Sequence, residues 1–337
     1  MATENSPQEN TSPEDAATPE NGDYPEIADN SEADTLLEET AQVSTLLSGE
    51  SEAPPRIGAW KRFRRVFFGR AVVRFGAAII LLLVLMAIFG PMLAPHNPNA
   101  INLKRGLEGP SRDFLLGTDQ LGRDTLSRII YGARTSLLVG MISVGIASII
   151  GIVLGIAAGY YGRWVHALIM RFVDALMAFP MLLLALMIAA LLGGGMRNVI
   201  IALTISLIPQ YARLMCAQVI TIKENDYIAA IKSIGAKDIR ILFRHVFSNA
   251  FPPLLVQMTL RLGHTILSEA TLSFLGIGIR PPIATWGNMI AAGRDHLERM
   301  PILSLAPGLC VMLVVFSFNM VGDGLRDALD PRLRGRL

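Results

Sequence analysis

The sequence predicts an all-α integral membrane protein: six transmembrane helices behind a disordered acidic N-terminal tail. Three observations predict it. Hydrophobic residues make up 52% of the 337 and charged residues 17%, against roughly 25% charged in a soluble domain. Uncharged apolar runs recur at about 20 residues, the length a helix needs to cross hydrocarbon. The charges are also segregated. Residues 1–55 hold 14 Asp and Glu and no Lys or Arg, which leaves 14 acids and all 30 bases for the rest. This balance argues against an ordinary globular enzyme.

The tail is rich in Glu, Asp, Ser, Thr, Pro and Asn and lacks the apolar surface that offsets ordering entropy, so it is read as disordered. Asp34–Leu47 has the pattern of a short amphipathic helix formed on binding. The tail has neither the basic start nor the apolar core of a secretory signal. Trp60–Arg74 then reverses the charge, with six bases interleaved with aromatics. Beside an apolar run, such a segment suits an anionic membrane surface better than nucleic acid.

The first span is Phe75–Pro95 and the second Ser136–Tyr161, neither with a charge. The third lies near Val173–Leu192, with Arg171 and Asp174 at the membrane edge. The fourth runs from Asn198 to Ile220. The fifth, Pro253–Ile279, is interrupted by Arg261, His264 and Glu269. The sixth, Ile302–Val321, is uncharged. Six spans put both termini on one side. That side carries 19 bases and the other 10, six of them in the loop 95–134, so the positive-inside bias makes both termini cytoplasmic. In the second span, Gly151, Gly155 and Gly159 form a small-residue stripe that lets another helix approach closely.

Several chemistries lack their residues. No Gly-Lys dipeptide occurs, so a phosphate-cradling Walker loop is absent. There is no HExxH, CxxC or GxSxG, and the five histidines are scattered. Catalytic residues and metal ligands are therefore expected to be none. Asp119 and Asp124 alone are too few oxygen donors for a cation. The segment Gly117–Asp124 reads as an outer turn, followed by an interfacial helix near Thr125–Tyr131. Cys216 and Cys310 sit in apolar stretches as small hydrophobes.

The largest cytoplasmic loop, 221–251, reads as two short helices. Glu224, Asn225 or Asp226 can cap the first, Tyr227–Ile234, and Gly235 can end it. Lys237 or Asp238 starts the second, Ile239–Phe247, which stops before Pro252-Pro253. In the fifth span, Gln257, Arg261, Thr265 and Ser268 recur at i+3/i+4 on one face, with His264 and Glu269 beside them. Arg on a lipid face costs about 2.5–3.5 kcal/mol. The stripe is therefore expected to face the cavity or a partner subunit.

The segment Asp226–Ala236 (DYIAAIKSIGA) resembles the "EAA" loop of binding-protein-dependent ABC transporter permeases, with Ala229-Ala230-Ile231 at the triplet, its Glu missing, and Gly235 kept. Gly117–Asp124, Leu126–Arg134, Ser273–Gly278, Pro281-Pro282, Trp286-Gly287 and Asn319–Pro331 are similar to the dipeptide/oligopeptide permease family, C-type subunit, over about Lys61 to Arg334. The resemblance implies a type I ABC importer permease fold in a bacterial or archaeal plasma membrane. It also implies a non-catalytic subunit that pairs with a second homologous permease. Two ATPase subunits would hydrolyse ATP with Mg²⁺, and an extracytoplasmic solute-binding protein would deliver peptides. This chain would bind no cofactor and no nucleic acid.

The resemblance makes Asp226, Tyr227, Ala229, Ala230, Ser233, Gly235 and Ala236 the ATPase-coupling surface. Gln257, Arg261, His264, Thr265, Ser268 and Glu269 are candidates for the translocation path or partner face. The chain divides into a tail, 1–55, then a basic flank with the first span, 56–110, and a permease core, 111–337, with its coupling loop 221–251. The same architecture could carry nickel complexes, glutathione or another small solute. A channel or secondary transporter would need inverted repeats around its own ion site, and none is evident. An intramembrane enzyme would need the absent motifs.

Overall fold

The computed structural model describes residues 59–329, and helices make up its regular structure. The predicted tail and Asp34–Leu47 lie outside the described residues. Helix α1 (Ala59–Gly69) carries the basic–aromatic segment and leads into α2 (Ala71–Leu93), the first span. Helix α3 is Thr125–Tyr161, α4 Arg163–Met177, α5 Met181–Leu192 and α6 Met196–Lys223. Then come α7 (Asp226–Ser233), α8 (Asp238–Ile241), a π-helical stretch Leu242–Phe247, α9 (Ser248–Phe274), α10 (Trp286–Arg294) and α11 (Ile302–Leu329).

Among the described residues, α2, α3, α6 and α11 are each long and apolar enough to cross a membrane. The pair α4 and α5 gives a fifth span if its bent halves count as one. Helix α9 has 27 residues, but its polar stripe keeps it outside that apolar set.

Three boundaries differ from expectation. The expected interfacial helix near Thr125–Tyr131 is the first part of α3, which has 37 residues, about 55 Å at the α-helical rise. The third span is not continuous. Its two halves bend by 86° at Ala178–Pro180, because Pro180 lacks an N–H and drives Phe179 out of the helical region. The second loop helix does not stop before Pro252-Pro253. It runs on through the π-helical stretch into α9 with both prolines inside. The turn just ahead of the two prolines is widened to a π-helix, and side chains there add bonds to its carbonyls. Here Asn249 Nδ2 donates to the His245 carbonyl at 2.8 Å and Ser248 Oγ to the Phe243 carbonyl at 3.4 Å.

The core is centred on α3 against α6. Gly151, Gly155 and Gly159 are buried, and each lies backbone to backbone with α6. A Cβ on Gly155 would stand 2.6 Å from the Ala212 carbonyl oxygen and 2.6 Å from Met215 Cβ, and one on Gly159 would stand 2.7 Å from Val219 Cβ. The seam continues into an apolar core of Leu207, Tyr211, Met215 and Val219 with Ile241, Val246 and Leu254. A second close approach joins α2 to α11. A Cβ on Gly76 would meet Met320 Cβ at 2.9 Å, and Gly324 faces Val73. Arg70, just before α2, pairs with Asp327 near the end of α11 at 2.5 Å. Cys216 is buried and Cys310 half-buried, both free thiols.

Overpacking a tight seam costs about 1–3 kcal/mol and occasionally more. Gly155→Val is expected to lower the unfolding temperature of the detergent-purified protein and its membrane level. Gly145→Val, on the same helix with nothing within 4 Å of its Cβ, is expected to leave both nearly unchanged.

Candidate coupling surface and polar face

Helix α7 is held to the bundle by one side. Ile228 is buried in the main core, and Ile231 and Ala236 pack against it. Asp226, Tyr227, Ala229, Ala230 and Ser233 point to the surface. Asn225 does not cap α7. Its Nδ2 donates back to the Thr221 and Ile222 carbonyls at 3.2 and 3.1 Å, closing the end of α6. At the other end the Gly235 N–H donates to Lys232 O at 3.0 Å and the Ala236 N–H to Ile231 O at 3.3 Å. This is a Schellman closure, whose C′ residue takes positive φ. Gly235 sits there at φ +82°. The surface around it is apolar with a basic rim. Ile234 is 84% exposed, Ile239 72% and Phe243 69%, and Gly235, Ala236, Arg240 and Arg244 line a hollow of about 370 Å³.

A polar clasp that the sequence did not signal positions this surface. Tyr160, at the end of α3, donates its hydroxyl to Asp238 Oδ1 at 2.5 Å. Lys223, at the end of α6, donates to the Tyr160 carbonyl at 2.8 Å. The start of α8 is thereby bonded to the end of the α3–α6 seam. Asn249 on α9 adds a 3.1 Å hydrogen bond to the Tyr227 hydroxyl.

The polar stripe of α9 divides into two parts. Gln257 lines a groove of about 910 Å³ with Pro252, Pro253, Leu260, Gln218 and Arg326. Arg261 is half-buried and makes no ion pair among the described residues, and His264 is exposed. Arg261 is the charge near Tyr211, and the buried Tyr211 hydroxyl has no hydrogen-bond partner among the described residues. Ser268 Oγ donates to the His264 carbonyl at 2.9 Å and Thr265 Oγ1 to the Arg261 carbonyl at 2.6 Å.

Thr265 and Glu269 turn into the subunit, and neither is exposed at all. Glu269 accepts from Ser273 Oγ at 2.8 Å and from Ser136 Oγ of α3 at 3.2 Å. The Thr285 hydroxyl lies nearby, close enough to act on it. Thr285 in turn caps α10 by accepting from Asn288 N at 3.2 Å. One carboxyl group thus joins α3 and α9 beside the start of α10. No cluster of metal-ligating side chains exists among the described residues.

Residues 151–335 match the family described as binding-protein-dependent transport system inner membrane component. Residues 58–110 match the N-terminal TM domain of oligopeptide transport permease C. The chain is 41% identical over 302 residues to the dipeptide transport system permease protein DppC of Alkalihalophilus pseudofirmus, covering 88% of this chain and 99% of that one. It is 46% identical over 265 residues to the di/tripeptide transport system permease protein DppC of Pseudomonas aeruginosa, covering 77% and 88%. The glutathione transport system permease protein GsiD of Pectobacterium atrosepticum is 41% identical over 276 residues, covering 82% and 92%. Among solved structures, a chain of the inward-facing MetNI methionine ABC transporter superposes with a TM-score of 0.50 at 16% identity, covering 61% of this chain and 98% of that one. That likeness concerns the fold.

The Glu269 node gives a graded test. Glu269→Ala leaves the hydroxyls of Ser136 and Ser273 without their acceptor, and hydrogen bonds to a charged group contribute about 1.5–3 kcal/mol each. Glu269→Gln keeps an acceptor oxygen. Thermal unfolding in detergent is expected to rank wild type above Gln and Gln above Ala, with Ala lower by several degrees.

Proposed function

The chain belongs to the family of binding-protein-dependent transport system inner membrane components, and from that premise we propose that it is the permease subunit of an ATP-driven importer of dipeptides and oligopeptides. The observation that carries the coupling role is the exposed helix–Gly–helix at Asp226–Ala236, with bare Ile234, Ile239 and Phe243 beside it. Large apolar side chains clustered on a basic-rimmed surface mark a protein interface. The clasp of Tyr160, Lys223 and Asp238 would carry a push on that surface into the α3–α6 pair.

In this reading, two ATPase subunits bind below the permease pair, and one of them docks at Asp226, Tyr227, Ala229, Ala230, Ser233, Gly235 and Ala236. They bind ATP and Mg²⁺, and the bond-breaking chemistry is theirs. This chain is non-catalytic and binds no cofactor itself. A second homologous permease completes the path, and an extracytoplasmic solute-binding protein delivers the cargo. Rigid-body rocking of the two permeases alternates access around a polar site near mid-membrane. Gln257, Arg261, His264 and Ser268 supply this chain's side of that path or of the contact with the second permease, while Thr265 and Glu269 brace the helix behind them. The bias of basic residues puts both termini in the cytoplasm of a bacterial or archaeal cell. Peptide cargo follows from the names of the relatives, and glutathione is itself a tripeptide.

Reconstitution tests this. The chain is expected to co-purify with an ATPase and a second permease, and vesicles with the cognate binding protein are expected to accumulate labelled di- or tripeptide in an ATP-dependent way. A chain that transports alone would be a channel or secondary carrier. Gly235→Leu has open space around its Cβ, so its intramolecular cost is the positive φ, about 1–2 kcal/mol. It is expected to insert normally, yet lose uptake and substrate-stimulated ATP hydrolysis by tenfold or more. Full activity would move the docking surface elsewhere. Arg261→Leu is expected to cut uptake several-fold at an unchanged protein level.

A further inference from the structure

At the end of α3 opposite Tyr160, a cavity of about 140 Å³ is lined by Asp119, Gln120, Arg123, Thr125, Arg128 and Asn288 among others. Arg123 is 7% exposed, Arg128 3% and Thr125 1%. Two buried guanidinium groups therefore share one lining carboxylate. Asp119 is already saturated. Its Oδ1 accepts from the Leu121 and Arg123 backbone N–H groups at 2.9 and 3.0 Å. Its Oδ2 accepts from Arg123 Nε at 2.7 Å and lies 3.7 Å from Arg128 Nε. The nearby Asp124 does not line the cavity, and its Oδ2 is held by Ser127 N and Oγ at 3.0 and 2.5 Å.

Among the residues that line the cavity the donors are in excess, while Oδ1 of Asp124 beside it is a buried acceptor without a partner among the described residues. Arg128 Nη1 donates to the Pro98 carbonyl at 3.1 Å. The terminal nitrogens of Arg123 and the second one of Arg128 make no hydrogen bond among the described residues. The buried Thr125 hydroxyl has no partner there either. The buried, unpaired Thr125 hydroxyl costs about 1–3 kcal/mol as it stands, and the guanidinium N–H groups beside it favour something that accepts. Paired N–H groups of Arg match the two oxygens of a carboxylate. Ligand pockets for whole small molecules run to roughly 300–1,000 Å³, so 140 Å³ suits one functional group and not a peptide.

We propose that the pocket formed by Arg123, Arg128 and Thr125 is a carboxylate-binding site on the face opposite the coupling surface. Two sources share this chemistry: a free small carboxylate, or an acidic side chain of the protein that docks on that face. The inference stands on the pocket alone and is independent of the cargo.

The test uses the complex as purified in nanodiscs, with sodium acetate exchanged for sodium chloride at constant ionic strength. Acetate is expected to raise the unfolding temperature of the wild type by about 2–4 °C through mass action. Thr125→Val should abolish most of that rise while leaving stability in chloride unchanged, because it removes a hydroxyl that has no partner in the chain. Arg123→Gln should abolish the rise entirely. No acetate-dependent rise in the wild type, or the same rise in both variants, overturns the proposal. The source is read from the affinity of the loaded binding protein. A several-fold weakening by acetate in the wild type but not in Thr125→Val assigns the site to an acidic side chain of that protein. An unchanged affinity, with the thermal effect present, assigns it to a free carboxylate.

Discussion

The structure depends on the contact between the backbones of α3 and α6. Within hydrocarbon, lipid tails are as apolar as side chains, so helices associate through close packing and polar contacts instead of exclusion from water. Gly151, Gly155 and Gly159 supply the closeness, because a methyl group at any of them would collide with α6. With the two axes locked, the positions of their ends follow. Tyr160 and Lys223 meet at one end, and Asp238 is bonded to that meeting point. The exposed loop surface is thereby tied to the tightest part of the bundle, which is what a surface that transmits force needs.

Glu269 plays the corresponding part toward the opposite end. Hydroxyl donors from α3 and α9 converge on it, with the Thr285 hydroxyl before α10 nearby. A charge in a membrane helix is costly unless paired or hydrogen-bonded, and this one is enclosed by donors and wholly buried. Arg261, two turns away on the same helix, is half-exposed with no acid beside it. The same helix thus carries a satisfied polar group that braces and an unsatisfied one that is free to meet a partner or a passing solute.

Much of the fold was legible because membranes demand long apolar runs. The uncharged stretches of α2, α3 and α11 could be read directly, as could the glycine stripe and the closure at Gly235, whose Schellman geometry is local in sequence. What was not legible depends on distant partners. Ser136 and Glu269 are 133 residues apart and Tyr160 and Asp238 are 78 apart, so no spacing rule reaches them. The division of the stripe, with Thr265 inward and His264 outward, needed the position of α3. Proline misled in both directions. Pro180 looked compatible with one straight span and marks a sharp bend. Pro252-Pro253 looked like a stop, yet lies within a helix that follows directly on a π-helical stretch.

The seat of α2 against α11 bears on how the chain is made. Gly76 is matched to Met320, Val73 to Gly324 and Arg70 to Asp327, so α2 finds its partner in a helix made much later in synthesis. Until α11 is synthesised, the small-residue face of α2 has only lipid or a chaperone to lie against. A chain interrupted before α11 would present that unfilled face to membrane quality control, a physical mark that separates an incomplete molecule from a complete one.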